Sequence, residues 1–312
     1  MTIKEIYEKA IEEGKKADFR GEKEINWKLS RAKKEYENLT DDEKDFFDKE
    51  RLKNPYSDTR TLHGNPEDEV KKVLVGIDID GEELLLADRL GDIDLVISHH
   101  PRGNALAGLD DVMDLQIEML HHYGVPINIA EKLLKKRIKE VSRGLSPENH
   151  QRAVDMARLL DIPLMSIHTP CDNMVAQFVE EKLEKDDPRV LKDVLESLRE
   201  IPEYKEAEKM GAGPKLFVGS KKNRTGKIVM TEITGGTEGS PEIYEKLADA
   251  GAGTIIGMHI SEKHRKKAQK AHVNVVIAGH MSSDSIGVNL LLDELKGLEI
   301  VPCSGFIRCK RD

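Results

Sequence analysis

Two adjacent histidines close a short apolar run, Leu95-Val96-Ile97-Ser98-His99-His100-Pro101, and they are residues whose types and spacing could do chemistry. Neighbouring side chains of an extended strand point to opposite faces. A strand stopped by proline turns, however, and both imidazoles can then face one crevice. The carboxyl ends of strands in an open α/β sheet are where such folds place their ligands. The plain alternative is a pair of surface loop histidines, so the case rests on partners elsewhere in the chain. His168 and Asp172 follow the apolar run 163–167, and His280 and Asp284 follow the run 273–278. The last pair is spaced i, i+4, which on a helix puts both side chains on one face. Neutral imidazoles and carboxylates suit zinc, iron, manganese, cobalt or nickel. His99, His100, His280, Asp172 and Asp284 offer three neutral nitrogens and two carboxylates, and two divalent ions would leave about two positive charges uncompensated. Such a centre attracts phosphate and lowers the pKa of bound water toward ~7. The chemistry expected is hydrolysis of a phosphate-bearing or nucleotide-like substrate by a metal-bound hydroxide.

Elements that could position these residues recur along the chain. Residues 1–70 are dense in Lys, Glu and Asp, carry the one tryptophan, Trp27, and contain no strand-like run. Ile3, Ile6, Tyr7, Ala10 and Ile11 share a helical face. Thr40-Asp41-Asp42-Glu43 forms a capping box opening a helix that carries Phe46 and Phe47 and ends at Asn54-Pro55. The region is expected to be helical and docked on the body, or a charged solvated appendage without chemistry. Strands are expected at 73–77, 95–98, 125–130 and 163–167, with helices at 82–90, 110–123, 131–143, 147–160 and over 173–201. Residues 203–214 read as a polar linker. Beyond it come strands at 215–219, 227–233, 254–257, 273–278 and 299–302, with helices at 241–250, 262–271 and 284–296. Strands alternating with helices predict an α/β protein with mostly parallel sheets flanked by helices. Its expected parts are a helical extension (1–70), a first lobe (71–202) and a second lobe (203–312), the lobes loosely similar to one another.

Composition narrows the function classes. The net charge is −9, which leaves no basic surplus for general nucleic-acid binding. No stretch approaches the ~20 apolar residues of a membrane helix, and the charged amino terminus lacks an apolar leader. Three cysteines, Cys171, Cys303 and Cys309, without CxxC spacing fit a reducing, cytoplasmic setting.

Other residues carry two readings each. His168 is read as a group orienting Asp172 rather than as a ligand. Glu232 ends a buried strand, as a general base or a capped carboxylate. His259 and His264 follow another strand end, as proton carriers or surface histidines. Glu232, His168 and His259 are the catalytic candidates. The glycine-rich loop 235–239 could cradle a phosphate but matches no nucleotide-binding spacing, and Cys171, beside Asp172, reads as a small buried filler rather than a soft extra ligand. His121 and His122 fall in mid-helix without partners, and Lys263 to Lys267 reads as a solvated charge run.

The stretches DLVISHHP at 94–101, HT-xx-D at 168–172 and AGH-xxx-D at 278–284 resemble the Nif-three-like dinuclear metal-binding family, also described as GTP cyclohydrolase I type 2. The resemblance covers about residues 72–312 and implies a two-lobed α/β fold. It also implies a homo-oligomeric, hexameric ring with metal sites facing an inner cavity. His99, His100, Asp172, His280 and Asp284 would then hold two divalent metals (zinc, iron or manganese). Asp284 stands where the family usually has a glutamate, as the bridging ligand, one methylene shorter. Residues 57–64 lack the family's tryptophan-bearing motif, and the helical amino-terminal region is untypical; both imply a divergent branch. The competing function is a non-catalytic metal-binding assembly that binds a partner protein, distinguished by whether an acid or base stands beside the metals. A nucleotide-cofactor enzyme would need a phosphate loop that the chain lacks.

Overall fold

The computed structural model describes residues 1–311, in which nine strands form two sheets. The strands are β1 (Arg60–His63), β2 (Lys72–Gly76), β3 (Leu95–Ser98), β4 (Leu164–Ser166), β5 (Lys215–Val218), β6 (Lys227–Met230), β7 (Ala252–Gly257), β8 (Asn274–Ile277) and β9 (Glu299–Cys303). The first sheet runs β1-β4-β3-β2-β9 and the second β5-β8-β7-β6. Every neighbouring pair is parallel except β1 with β4 and β5 with β8. Parallel strands covered by helices on both faces need continuous apolar runs. In β3, Leu-Val-Ile-Ser, every residue is buried. The expected α/β class, with mostly parallel sheets between helices, is what the chain adopts.

Two helices carry the fold's interior across to the site. Helix Thr169–Asp186 begins directly after His168, with proline in its first turn. Helix His280–Glu294 is buried on nearly all sides and packs on it. Their approach is close: a Cβ on Gly287 would lie 2.2 Å from the Cys171 carbonyl oxygen. Helix Ile3–Lys16 packs on the same first turn, where a Cβ on Gly14 would lie 2.6 Å from Cβ of Pro170. The face Ile3, Ile6, Tyr7, Ala10 and Ile11 is buried, as its spacing predicts.

Several expectations are corrected. The amino-terminal region is no appendage, and it is not wholly helical: β1 pairs antiparallel with β4 in the first sheet. The capping box at Thr40 forms, but its helix spans only Asp41–Lys44, because Asp48 starts a separate turn (Lys49–Leu52) by capping Glu50 N–H. Residues 125–130 are not a strand; Pro126 opens helix Ile127–Leu145, whose apolar face buries Ala130 and Leu134. Residues 203–214 are not a linker. Helix Pro202–Lys209 buries Glu203 and Tyr204 fully, and these brace the 280–294 helix through Asn289 and Ser283. The closing strand, placed in the second lobe by its position in the chain, is β9 of the first sheet, paired with β2. Shorter adjustments also follow: the helix expected at 147–160 begins at Arg152, and the one expected at 284–296 begins at His280.

Candidate metal centre

The carboxyl ends of strands from both sheets meet at one crevice. His99 and His100 follow β3, and Ser98 holds the turn by donating from Oγ to the His100 carbonyl at 2.6 Å. His168 follows β4, and Asp172 sits one turn into the helix that starts there, where the helix dipole favours a carboxylate. After β8, Gly279 adopts φ 119° and allows the turn that starts the next helix at His280. A Cβ at Gly279 would lie 2.6 Å from Ser282 Oγ and 2.8 Å from the Ala212 carbonyl, so the turn requires glycine. Asp284 then falls one helical turn beyond His280.

Asp284 lies at the middle of the cluster. Its Oδ1 is 3.6 Å from His99 Nε2, and its Oδ2 is 3.4 Å from His100 Nε2 and 3.6 Å from His280 Nε2. Asp172 Oδ1 lies 3.3 Å from His99 Nε2. Three buried atoms here, His99 Nε2, Asp172 Oδ1 and Asp284 Oδ2, have no hydrogen-bond partner. Buried polar atoms without partners are rare and call for an ion or water. Two triads, His99–Asp172–Asp284 and His100–His280–Asp284, each present donor atoms within 4.8 Å of one another and share Asp284. The donor set therefore fits metal ions. All five residues expected as ligands come together, and His168 with them.

The outer ends of the rings are tied down. His99 Nδ1 lies 3.1 Å from the Ile167 carbonyl, His100 Nδ1 is 2.9 Å from Asp78 Oδ1, and His168 Nδ1 is 2.8 Å from Asp58 Oδ2. With Nδ1 engaged, Nε2 of each ring turns inward, as metal-binding imidazoles are commonly arranged. Sequence reasoning missed Asp58 and Asp78. Asp78 directly follows the β2 run, a strand-end position that could have flagged it. Asp58 carries no local signal.

Charge distribution follows from burial and partners. Burial alone would raise Asp284, but the His99 charge and the neighbouring imidazoles hold it well below the usual carboxylate range. Burial alone would lower His99, while Asp284 and Asp172 raise it well above the usual imidazole value. Burial lowers both His280 and His259. Burial would likewise raise Asp58, but its hydrogen bond from His168 holds it down.

The three catalytic candidates, His168, Glu232 and His259, line one small cavity with Asp172, His280 and Asp284. The His259 and His280 rings lie 5.2 Å apart. Glu232 is buried, accepts only the Gly239 N–H, and has φ 60°, a left-handed conformation costing a non-glycine residue about 1 kcal/mol or more. Burial pushes its carboxyl up from 4.5 to about 8. Between those two values the folded chain holds a proton that the unfolded chain has released, so stability falls as pH rises through the window. The full effect is on the order of 4–5 kcal/mol. Denaturation of metal-free wild type and Glu232→Gln at pH 5 and 8.5 is expected to show wild type losing stability relative to the variant at the higher pH. An unchanged difference would place Glu232 in an ordinary solvated environment.

His264 does not join this group; its Nδ1 lies 3.2 Å from the Tyr244 hydroxyl and its Nε2 3.5 Å from Glu238. Loop 235–239 instead braces the site wall, with Gln116 Nε2 donating to the Gly235 and Thr237 carbonyls. Cys171 packs in the core beside His99, and burial raises its thiol. Among the described residues no helix is long and apolar enough to cross a membrane.

Fold and cluster together define a two-sheet α/β protein with a buried histidine–carboxylate centre that could hold metal. No family model matches the chain, and no curated protein does. Among solved structures it is similar to a NIF3 superfamily protein from Sphaerobacter thermophilus, at 27% identity and a TM-score of 0.71, over 81% of this chain and 93% of that one. Weaker similarities are to reduced HcgD from Methanocaldococcus jannaschii (17% identity, TM-score 0.47, 78% and 87% covered) and to a Thermus thermophilus protein (16%, 0.46, 82% and 91%). The chain has the Nif-three-like fold.

Proposed function

We propose that this chain is a dinuclear metal-dependent hydrolase acting on a phosphate-bearing or nucleotide-like substrate, with zinc, iron or manganese as its ions. The observation that carries the reading is the division of the two Asp284 oxygens between two sets of donors. His99 and Asp172 would hold one ion, His100 and His280 the other, and Asp284 would serve both. Two ions so held polarise a phosphoryl oxygen and make water a stronger acid.

The remaining roles belong to side chains of the cavity. Asp78 keeps the His100 ring turned inward. Glu232, protonated at neutral pH, stands in the cavity wall as a proton donor to a departing oxygen. His259, kept neutral by burial, is the acceptor on the His280 side. Opening of a GTP ring by a cyclohydrolase-type reaction falls within this class.

The test is turnover of generic phosphoesters and nucleotides by untagged protein with each of the three metals. The expected result is metal-dependent hydrolysis whose kcat/KM falls at least about 100-fold in Glu232→Gln and in Asp284→Asn. Absence of turnover with every metal would sink the hydrolase reading and leave a non-catalytic metal-binding assembly in its place.

A further inference from the structure

The Asp58 carboxylate is fully buried and accepts a hydrogen bond from Thr169 Oγ1 at 2.6 Å on the same oxygen that meets His168 Nδ1 at 2.8 Å. A carboxylate only accepts, so the proton of that second contact sits on Nδ1. Nε2 is then the ring nitrogen turned toward the crevice. That nitrogen lies 3.6 Å from Asp172 Oδ2, and ring nitrogens of His99, His100 and His168 fall within 4.8 Å of one another. Two buried atoms beside it, His99 Nε2 and Asp172 Oδ1, lack hydrogen-bond partners, so an ion placed among them would also be within reach of His168 Nε2.

The segment that delivers Asp58 is built rather than loose. Asn54 Nδ2 donates to the Thr59 carbonyl at 2.9 Å, the Tyr56 hydroxyl donates to Asp18 at 2.9 Å, and His168 N–H donates to Thr59 Oγ1 at 3.2 Å. The first two hold the segment within the amino-terminal region; the third, with the Asp58 contacts to His168 and Thr169, ties it to the start of the helix that carries Asp172, across 110 positions of the chain.

We propose that His168 Nε2 is an additional protein donor to the ion held by His99, Asp172 and Asp284, and that Asp58 is the positioning residue that sets its tautomer. This rests on the dinuclear reading above and adds to it a ligand and a residue that supports it. The amino-terminal region is thus part of the metal centre.

Asp58→Asn tests the pair with little change of shape. Its amide N–H can donate to Nδ1, which moves the ring proton to Nε2 and blocks that nitrogen as a ligand. Zinc titration of untagged protein is expected to show the affinity of one ion falling roughly 10- to 100-fold in Asp58→Asn and in His168→Ala. The readout a merely structural Asp58 would not move is spectroscopic. In wild type loaded with cadmium-113, the nitrogen-15 ring spectrum is expected to show scalar coupling between the metal and His168 Nε2, with Nδ1 protonated. Two bound cadmium ions without that coupling, or unchanged zinc affinity in both variants, would overturn this proposal alone. Wild type that binds no metal would overturn the dinuclear reading and this with it. If Asp58→Asn fails to fold, the wild-type cadmium spectrum decides the matter by itself.

Discussion

Asp284→Asn is expected to abolish stable binding of both ions while leaving the fold intact. The change keeps the size of the side chain and removes the one charge that faces both donor triads. Each ion loses a charged donor, and the amide nitrogen now confronts imidazoles on one side. Loss of affinity on the order of 100-fold or more for each ion follows, since even residues that only support ligands cost 10–100-fold. Linkage makes this visible without activity: free zinc at about 1,000 times Kd adds about 4 kcal/mol per site to a chain that binds it only when folded. Calorimetry with zinc and with chelator should therefore separate the two melting temperatures widely in wild type and hardly at all in Asp284→Asn. A variant that gains as much from zinc as wild type would show that Asp284 is no ligand.

Gly287→Ala is expected to damage the site through packing, at a distance from any donor. The added methyl would lie 2.2 Å from the Cys171 carbonyl oxygen and 2.7 Å from its carbonyl carbon. Both atoms are backbone, so no rotamer can relieve the contact. The helices Thr169–Asp186 and His280–Glu294 must separate, and Asp172 and Asp284 move apart with them. Overpacking of this kind costs about 1–3 kcal/mol. Metal affinity should fall in the same variant. Gly144 is the control: it lies in helix Ile127–Leu145 with nothing within 4 Å of its would-be Cβ. Gly144→Ala should stabilise by about 0.5–1 kcal/mol. Denaturant unfolding of the two variants beside wild type checks both signs; a neutral Gly287→Ala would contradict the close approach.

The residues that meet in the cluster were legible because each sits at the end of an apolar run or one helical turn beyond it, and the i, i+4 spacing of His280 and Asp284 holds on a real helix. What escaped notice depends on distant partners. Asp58 lies in a segment without periodicity, and its role appears only when His168 is brought beside it. The strand β9 was recognisable as a strand, but nothing in its own residues names β2 as its neighbour. Glu203 made residues 203–214 look solvated, yet its charge is buried against Asn289 and paired with Arg311. Residues 125–130 are short and apolar, a pattern that fits a strand or a buried helical turn equally, and Pro126 decided for the helix.

In the proposed centre one carboxylate, Asp284, joins two metal ions. Anomalous diffraction at the zinc edge from crystals of untagged protein grown with zinc tests it most directly. Two peaks about 3.5–4 Å apart are expected, one beside His99 and Asp172 and the other beside His100 and His280, with Asp284 between them. A single peak, or none at these residues, would contradict it.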